Sequence, residues 1–233
     1  MKTQHFFTFC AVVAALAGLS SGAAMAQQNT IKLGVASVHP NSSASDVRGP
    51  FTPSGISLNV ENITTPVFGY ERAFDDNWSV EFALGAPPTH DVTLKVNNSA
   101  IPGSAQALNG QVGARVRQVA PTVFINYRFL DSSSAIRPFI GAGINYTRFD
   151  KTQSTTNGNA LNGGATSLSL EDSVGLALQI GASYRLTKEW SLNAALATAQ
   201  VKTRLTTNTL GIVRTADIKF RPAVLSLTVG YSF

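Results

Sequence analysis

Large apolar residues and small or polar residues alternate one by one along much of this chain. In the clearest run, from Ser173 to Leu186, apolar residues such as Val174 stand at every second position, and small or polar residues such as Gly175 and Gln179 lie between them. Successive side chains of a β-strand point to opposite faces. This period of two therefore predicts a strand with one apolar face and one small, polar face.

The same alternation recurs along the chain and predicts eight strands. Their spans are Thr30 to Val38, Ile63 to Phe74, Trp78 to Gly85, Gln118 to Phe129, Ile136 to Thr147, Ser173 to Leu186, Trp190 to Ala197 and Leu225 to Phe233. After residue 27, no apolar run approaches the roughly 18 residues that a membrane-spanning helix requires. The pattern therefore predicts an all-β protein.

The segments between the predicted strands alternate in length. Short turns occupy residues 75–77, 131–135 and 187–189, and long polar loops occupy residues 41–59, 91–113, 151–171 and 206–215. Short turns at one end and long loops at the other are typical of bacterial outer-membrane barrels, whereas a secreted β-sandwich would not sort its loops in this way. Aromatic residues near the short turns indicate a belt at a membrane–water interface. They are Tyr70, Phe74, Trp78, Tyr127, Phe129, Tyr184, Trp190, Tyr231 and Phe233.

The two alternating residue sets distinguish a membrane barrel from a soluble one. A soluble eight-stranded barrel such as a lipocalin places its large apolar residues inside. Here the set opposite the apolar residues is Gly, Ser, Ala, Asn and Gln, which is too small and polar to form a core but suits a narrow lumen. The sequence predicts an eight-stranded antiparallel transmembrane β-barrel of the bacterial outer membrane, with both termini on the periplasmic side.

The composition agrees with a surface that does not face water alone. Charged residues make up 13% of the chain and hydrophobic residues 44%, whereas soluble surfaces carry about 25–35% charged residues. The net charge is +5 and the basic residues are scattered, which gives no basis for nucleic-acid binding.

Residues 1–26 have the features of a secretory signal peptide. Lys2 supplies the positive start, Phe6 to Leu19 the apolar stretch and Ala24-Met25-Ala26 the cleavage site. Cleavage would leave residues 27–233 as a single barrel domain. The only cysteine, Cys10, lies in the cleaved segment, so the exported chain is predicted to form no disulfide and no thiolate metal site.

Several motifs resemble the OmpW family of outer-membrane proteins. They are Asp76-Asn77-Trp78-Ser79-Val80-Glu81, Ala120-Pro121-Thr122, the run from Arg137 to Thr147, the run from Leu168 to Ser173 and the closing Gly230-Tyr231-Ser232-Phe233. The resemblance implies a barrel with a narrow, largely hydrophobic passage through which small apolar compounds cross the outer membrane and leave sideways into the bilayer. For some members it also implies a role as bacteriocin receptors or in stress adaptation. Ala83, Ala195 and Ala197 stand where some relatives carry bulky apolar residues, which predicts a looser gate or one placed elsewhere.

Charged residues at inward positions near the short turns are expected to form a plug in the lumen. They are Glu71, Glu81, Arg128, Arg137 and Arg185. Carboxylates and guanidinium groups in a confined space pair and satisfy one another's hydrogen bonds. A general acid and base pair is disfavoured, because each glutamate has an arginine at hand that keeps it ionised. Such a plug would also exclude a hydrophilic porin.

The histidines after residue 27, His39 and His90, are expected to be exposed at the bases of long loops. The sequence shows no nucleophile with an oriented base and no metal-ligand spacing. We therefore predict no enzyme, no catalytic residue, no cofactor and no metal site.

The upper passage is expected to be lined by apolar residues of the first long loop and of adjoining strands. They are Phe51, Pro53, Ile56, Leu58, Ala83, Pro87, Pro88, Ala195 and Ala197. Pro87, Pro88, Pro121 and Pro222 cannot donate to a β-ladder. They mark either a lateral opening or ragged strand ends above the membrane, and both interpretations stay open.

These features favour a passive channel for small hydrophobic molecules. The alternative is a surface receptor or adhesion module, for example for a bacteriocin or phage, that acts through its long loops; a lipid-modifying enzyme is the least favoured class. The expected partners are outer-membrane lipid, small apolar solutes and the outer-membrane assembly machinery, which would recognise Tyr231 and Phe233 at the C-terminus. No particular oligomeric state is indicated.

Overall fold

The computed structural model describes residues 28–52, 54–97 and 103–233. The predicted signal peptide, residues 1–26, and the predicted lining residue Pro53 lie outside the described residues. The strands are β1 (Asn29–His39), β2 (Ser42–Ala44), β3 (Ile56–Val60), β4 (Ile63–Ala73), β5 (Trp78–Gly85), β6 (Thr89–Val96), β7 (Val112–Val119), β8 (Thr122–Arg128), β9 (Ile136–Ser154), β10 (Thr166–Leu170), β11 (Ser173–Arg185), β12 (Trp190–Ala199), β13 (Val201–Thr209), β14 (Ile212–Phe220) and β15 (Ala223–Ser232). The helices are α1 (Gly103–Gln106) and α2 (Thr156–Asn162). Within the described ranges, no helix is long and apolar enough to cross a membrane.

Eight of the strands close into an antiparallel barrel. Their order is β11-β12-β15-β1-β4-β5-β8-β9, and the pairing of β9 with β11 completes the ring. These are the eight strands that the alternating pattern predicts, so the predicted fold class is confirmed. The first and last strands pair with each other, and the backbone N–H of Asn29 donates to the carbonyl oxygen of Phe233 at 3.1 Å.

The barrel wall has an apolar outer face and a small, polar inner face. On β11, Val174 is 69% exposed, whereas Gln179 on the opposite face is only 9% exposed. Further exposed aliphatic residues of the wall are Leu33, Val35, Ile125, Ile140, Ile144, Leu176, Leu178, Ile180, Leu192, Leu196, Leu225 and Leu227. A continuous band of exposed aliphatic side chains is the surface of a barrel that lies in lipid.

Aromatic rings border this apolar band near the short turns. Trp78 packs edge to face on Tyr127 with the ring centroids 5.0 Å apart, and the rings of Trp190 and Tyr231 are also 5.0 Å apart. Both tryptophans remain half exposed. Rings in this position combine an apolar body with a polar tip, which suits the border between lipid and water.

The segments predicted as long loops contain β-strands, so that prediction is wrong in part. The strands β2, β3, β6, β7, β10, β13 and β14 extend the molecule beyond the barrel, and together with the far half of β9 they form what we term the outer region. In β13 the buried face includes Thr203 and Thr207, and the exposed face carries Lys202 and Arg204. Because these threonines interrupt the apolar residues Val201 and Leu205 on the buried face, the strand has only a weak apolar period of two.

The outer region consists of two sheets that face each other. One contains β3, β6, β7 and the far half of β9, and the other contains β10, β13, β14 and β2. Their facing sides share an apolar core made of Val92, Val116, Leu170, Leu205, Ala216 and Ile218. Prolines occupy the breaks between barrel and outer strands: Pro87 and Pro88 between β5 and β6, Pro121 between β7 and β8, and Pro222 between β14 and β15. Proline cannot donate to a ladder, so these breaks interrupt the pairing, although the carbonyls of Pro88 and Pro121 still accept from the backbone N–H groups of Gln118 and Tyr146.

Candidate functional site

A buried ion network crosses the barrel lumen. The Lys32 Nζ atom lies 2.6 Å from Glu71 Oε2 and 3.0 Å from Glu81 Oε1, and Arg128 Nη2 lies 2.6 Å from Glu71 Oε2. The four residues come from the neighbouring strands β1, β4, β5 and β8, on which the antiparallel register aligns the inward faces, as where Glu71 is paired with Glu81. Two positive and two negative groups thus compensate one another away from water.

Neutral side chains satisfy the remaining oxygens of this network. The Ser79 hydroxyl donates to Glu71 Oε1, and the amides of Asn126 and Gln179 donate to Glu81 Oε2 at 2.9 and 3.1 Å. The Gln179 amide also donates to Asn126 Oδ1 at 2.7 Å. A buried polar network in which each member has partners is rigid and strongly held.

Of the five residues predicted to form the plug, three lie in this network and two do not. Arg137 donates to the backbone carbonyls of Asp76 and, at 3.1 Å, of Leu130. Arg185 donates to the carbonyl of Ser132 at 2.6 Å and to that of Ser133. The prediction that these two arginines pair with the glutamates is therefore wrong, because both side chains extend to the short turns and satisfy carbonyl groups there.

The sequence reasoning missed Lys32, which contacts both glutamates. A signal was present, since Lys32 occupies the same face of β1 as Thr30 and Ala36, and all three are buried. A lysine among small residues on the inward face of a strand indicates a buried cation that needs acidic partners. The β1 pattern was too weak for its faces to be assigned from the sequence.

A cavity of about 240 Å³ lies above the network and continues between the two outer sheets. Lys32, Glu81 and Gln179 form its floor. The upper walls are mainly aliphatic and include Leu58, Val60, Val92, Val116, Leu170, Leu205 and Ile218. Of the predicted lining residues, Leu58, Ala83, Pro88, Ala195 and Ala197 contribute to the walls.

Three other predicted lining residues do not contribute to the cavity. Phe51 is 87% exposed and has a positive φ of 55°. Ile56 packs on Val96 in a separate apolar cluster, and Pro87 is exposed in the break after β5. The first long segment therefore supplies less of the passage than predicted, because its tip turns outward to solvent.

Two phenylalanines that the sequence reasoning passed over lie inside the barrel. Phe124 and Phe139 are 4% and 2% exposed and line the cavity. Each stands at an inward position of its strand, beside outward residues such as Ile125 and Ile140. The period of two places them inside. They were passed over because the inward residues were expected to be small and polar, and phenylalanine is neither.

The structure separates the two histidines. His39 is exposed at the end of β1, whereas His90 on β6 is 4% exposed and lines the cavity, so the expectation of an exposed His90 is wrong. His90 Nδ1 lies 3.1 Å from the carbonyl oxygen of Glu61. Burial lowers the pKa of His90, against the opposite effect of that hydrogen bond.

Arg214 connects three segments at the end of the outer region. It is 8% exposed, and its Nε donates to Thr52 Oγ1 at 3.0 Å and to the carbonyl of Pro50 at 3.3 Å. Its Nη1 donates to Asn162 Oδ1 at 3.4 Å, at the end of α2. One inward-facing arginine of β14 therefore holds the 50–52 segment and α2 together.

Comparison with known proteins agrees with this architecture. The model of the OmpW family matches residues 27–233. Outer membrane protein W of Vibrio cholerae is 33% identical over 97% of this chain and 99% of its own length. The dibenzothiophene metabolism operon protein PahQ of Pseudomonas aeruginosa is 28% identical over 88% of each chain.

A solved structure extends the agreement to three dimensions. The crystal structure of the outer membrane protein OprG from Pseudomonas aeruginosa is similar with a TM-score of 0.77 and 27% sequence identity, over 89% of this chain and 96% of that one. Both the sequence and the closed eight-stranded barrel thus agree with the same group of proteins. This chain belongs to the OmpW family and is a β-barrel of the bacterial outer membrane.

Proposed function

We propose that this barrel lets small hydrophobic molecules cross the outer membrane passively, without covalent chemistry or a cofactor. The observation that carries the proposal is an aliphatic cavity in the outer half of the molecule that ends on a buried, charge-compensated network. Apolar walls favour apolar solutes because burial of their surface is favourable. The network below acts as the plug, since ions and sugars would have to displace hydrogen-bonded charges to continue along the axis.

The position of one break in the wall supports a lateral exit. The last pair between β12 and β15 is Thr198 with Ala223, and the first pair between β13 and β14 is Val201 with Phe220. The cavity is lined on both sides of this break, by Thr198, Ala199, Val201, Phe220, Pro222 and Val224. The exposed leucines 196 and 225 are paired just below, on the outer face. A solute that leaves here reaches the lipid at the edge of the apolar band.

A disulfide across this seam tests the lateral exit. We expect a Thr198→Cys/Ala223→Cys variant to take up apolar probes slowly when oxidised and at the normal rate after reduction, because the cross-link prevents the two strands from separating. The control is a Leu192→Cys/Val229→Cys variant, whose cross-link joins a pair of the same strands closer to the short turns. Equal uptake by oxidised and reduced forms of the first variant would rule out this exit.

The name of one relative supports an apolar aromatic solute. PahQ is named for a dibenzothiophene metabolism operon, and dibenzothiophene is an uncharged aromatic heterocycle. The main test is uptake of a small apolar fluorophore and of a small sugar into lipopolysaccharide-containing liposomes that carry the refolded protein. Protein-free liposomes and an unrelated eight-stranded barrel are the controls. We expect faster uptake of the apolar probe alone; equal uptake of both probes with and without protein would reject the proposal.

A receptor function remains the second candidate, because two large apolar residues are exposed in the outer region. Phe51 is 87% and Leu210 83% exposed, and both have positive φ angles in turns. Exposed apolar tips on a paired-strand scaffold suit contact with a protein partner. If this function operates, Phe51→Ser/Leu210→Ser reduces binding of a bacteriocin or phage protein and leaves the uptake of apolar probes unchanged.

The C-terminal residues are proposed to be recognised by the assembly machinery. Tyr231 and Phe233 both point outward, at 42% and 61% exposure, at the end of the last barrel strand. We expect Phe233→Ser to lower the fraction of folded barrel in outer membranes, while the same protein refolds normally in detergent. Normal assembly of this variant in cells would contradict the assignment.

A further inference from the structure

His90, which lines the apolar cavity, has a buried ring nitrogen without a partner in the described part of the chain. His90 lies on the same face of β6 as Val92 and Leu94, and this face is buried. Its Nδ1 contacts the Glu61 carbonyl, whereas its Nε2 is enclosed and has no hydrogen-bond partner among the described residues. Buried polar atoms are nearly always paired, so an unpaired nitrogen beside a cavity points to a ligand.

The contact with Glu61 determines which nitrogen carries the proton. A carbonyl oxygen only accepts hydrogen bonds, so the Nδ1 of His90 is the donor. In the neutral ring, Nε2 then carries a lone pair and only accepts. Nε2 therefore lacks a donor among the described residues, and the cavity that His90 lines is the space from which a donor can come.

The surroundings of His90 restrict the chemistry of that donor. Its cross-strand neighbour is Val116, which packs in one cluster with Val92, Leu205 and Ile218. The adjacent Asp91 is on the other face of β6 and pairs with Arg115 at 3.0 Å, where both side chains are exposed. An ionised ligand would lose its hydration between these aliphatic walls. The site therefore fits an uncharged apolar molecule that carries one hydrogen-bond donor.

We infer that His90 Nε2 accepts a hydrogen bond from the hydroxyl group of an apolar alcohol or phenol in the cavity. The inference rests on the proposed function, because the solute must reach the cavity. A hydrocarbon contacts the same walls but leaves Nε2 unpaired, and an ether offers no donor. His90 thereby makes the passage prefer hydroxylated solutes, by about three- to tenfold for one hydrogen bond between uncharged groups.

The test compares uptake of 2-naphthol and of its ether, 2-methoxynaphthalene, into lipopolysaccharide-containing liposomes, after subtraction of the protein-free rate. We expect the natural protein to favour the naphthol about three- to tenfold. The His90→Leu variant should lose this preference, and His90→Gln should keep part of it because the amide oxygen accepts. The His39→Leu variant should keep it fully, since His39 is exposed and bonds to Ser37.

Equal rates for the two probes in the natural protein, or an undiminished preference in His90→Leu, overturn the inference. If His90→Leu does not fold, as judged by the heat-modifiable migration of barrels in gels, the natural protein and His90→Gln decide the question. Failure of the proposed function looks different, because neither probe then exceeds the protein-free rate. In that case, binding of the same two probes to the protein in detergent tests His90 by itself.

Discussion

Lys32 shows how one side chain shapes the interior of this barrel. It is 4% exposed and contacts both Glu71 and Glu81, while Arg128 contacts Glu71 only. Removal of one partner of a buried ion pair is costly, because the remaining charge stays buried without compensation. The charge balance of the lumen therefore depends on Lys32 as well as on Arg128, the one predicted arginine that contacts a glutamate of the network.

We expect Lys32→Met to lower the free energy of unfolding by about 3–5 kcal/mol, as for other broken buried ion pairs. Urea unfolding in detergent or lipid, followed by tryptophan fluorescence, measures the change. The double variant Lys32→Met/Glu81→Gln should recover a large part of the loss, because it removes the uncompensated carboxylate as well.

The matched control for Lys32→Met is an exposed ion pair of the outer region. Arg204 Nε lies 2.8 Å from Asp217 Oδ1, and both side chains are 54% exposed. Exposed pairs contribute about 0–1 kcal/mol, so Arg204→Met should change stability little. A loss for Lys32→Met no larger than that for Arg204→Met would contradict the account of the network.

His90 predicts a pH dependence of stability. Burial lowers its pKa below the ordinary value of 6.5, so the unfolded chain binds the proton more readily than the folded protein. Neutral His90 makes its full contribution to folding stability above pH 6.5. This stability is lost as the pH falls from there towards the lowered pKa of the folded protein.

The direction of this pH dependence is checked by measuring the melting temperature of the barrel at pH 7.5 and at pH 5, with gel migration as the readout of folding. We expect the natural protein to melt at a lower temperature at pH 5, and His90→Gln to show a smaller difference between the two conditions. The exposed His39 serves as the control, since His39→Gln should keep the full difference. An identical pH response of the natural protein and His90→Gln would show that another group is responsible.

At the scale of elements, the lipid-facing strands were predicted and the outer strands were not. The exposed face of β11 is aliphatic from Val174 to Ile180 because lipid contacts it, which leaves a clear period of two. The strand β13 faces water on one side, and on the buried side threonines alternate with Val201 and Leu205, so its apolar pattern is interrupted. The ion network was predicted in part, since Glu71, Glu81 and Arg128 lie at inward positions near the short turns. The reach of Arg137 and Arg185 cannot be derived from alternation alone. The burial of His90 could have been, because His90 stands at every-second spacing with Val92 and Leu94.

Arg214 links outer elements, and its removal should loosen them. We expect Arg214→Ala to free the 50–52 segment, because three of the hydrogen bonds that hold this segment and α2 start at this side chain. Chymotrypsin should then cut faster after the exposed Phe51 in refolded protein. Arg204→Ala, which affects an exposed pair on β13, should leave the rate unchanged. Equal cutting rates in the two variants would argue against the link.

At the scale of the whole molecule, the two ends of the barrel differ in chemistry. The short-turn end contains the ion network and the arginines that bind turn carbonyls. The outer half contains an aliphatic cavity that reaches a break in the wall at Pro222. Under the proposed function, an apolar solute enters the cavity and leaves towards lipid, because an axial path leads to buried charges. This asymmetry is the structural basis of the proposed passage.

The most direct test of this account fills the cavity from the inside. Ala197 lines the cavity, and Leu192 is 45% exposed on the outer face of the same strand, nearer the short turns. The measurement is uptake of a small apolar fluorophore into lipopolysaccharide-containing liposomes by Ala197→Trp and Leu192→Trp, with folding of both verified by gel migration. We expect uptake by Ala197→Trp to fall to the protein-free rate, because the indole occupies the passage, and uptake by Leu192→Trp to keep the natural rate. Natural uptake by a folded Ala197→Trp variant would mean that the solute does not pass through this cavity.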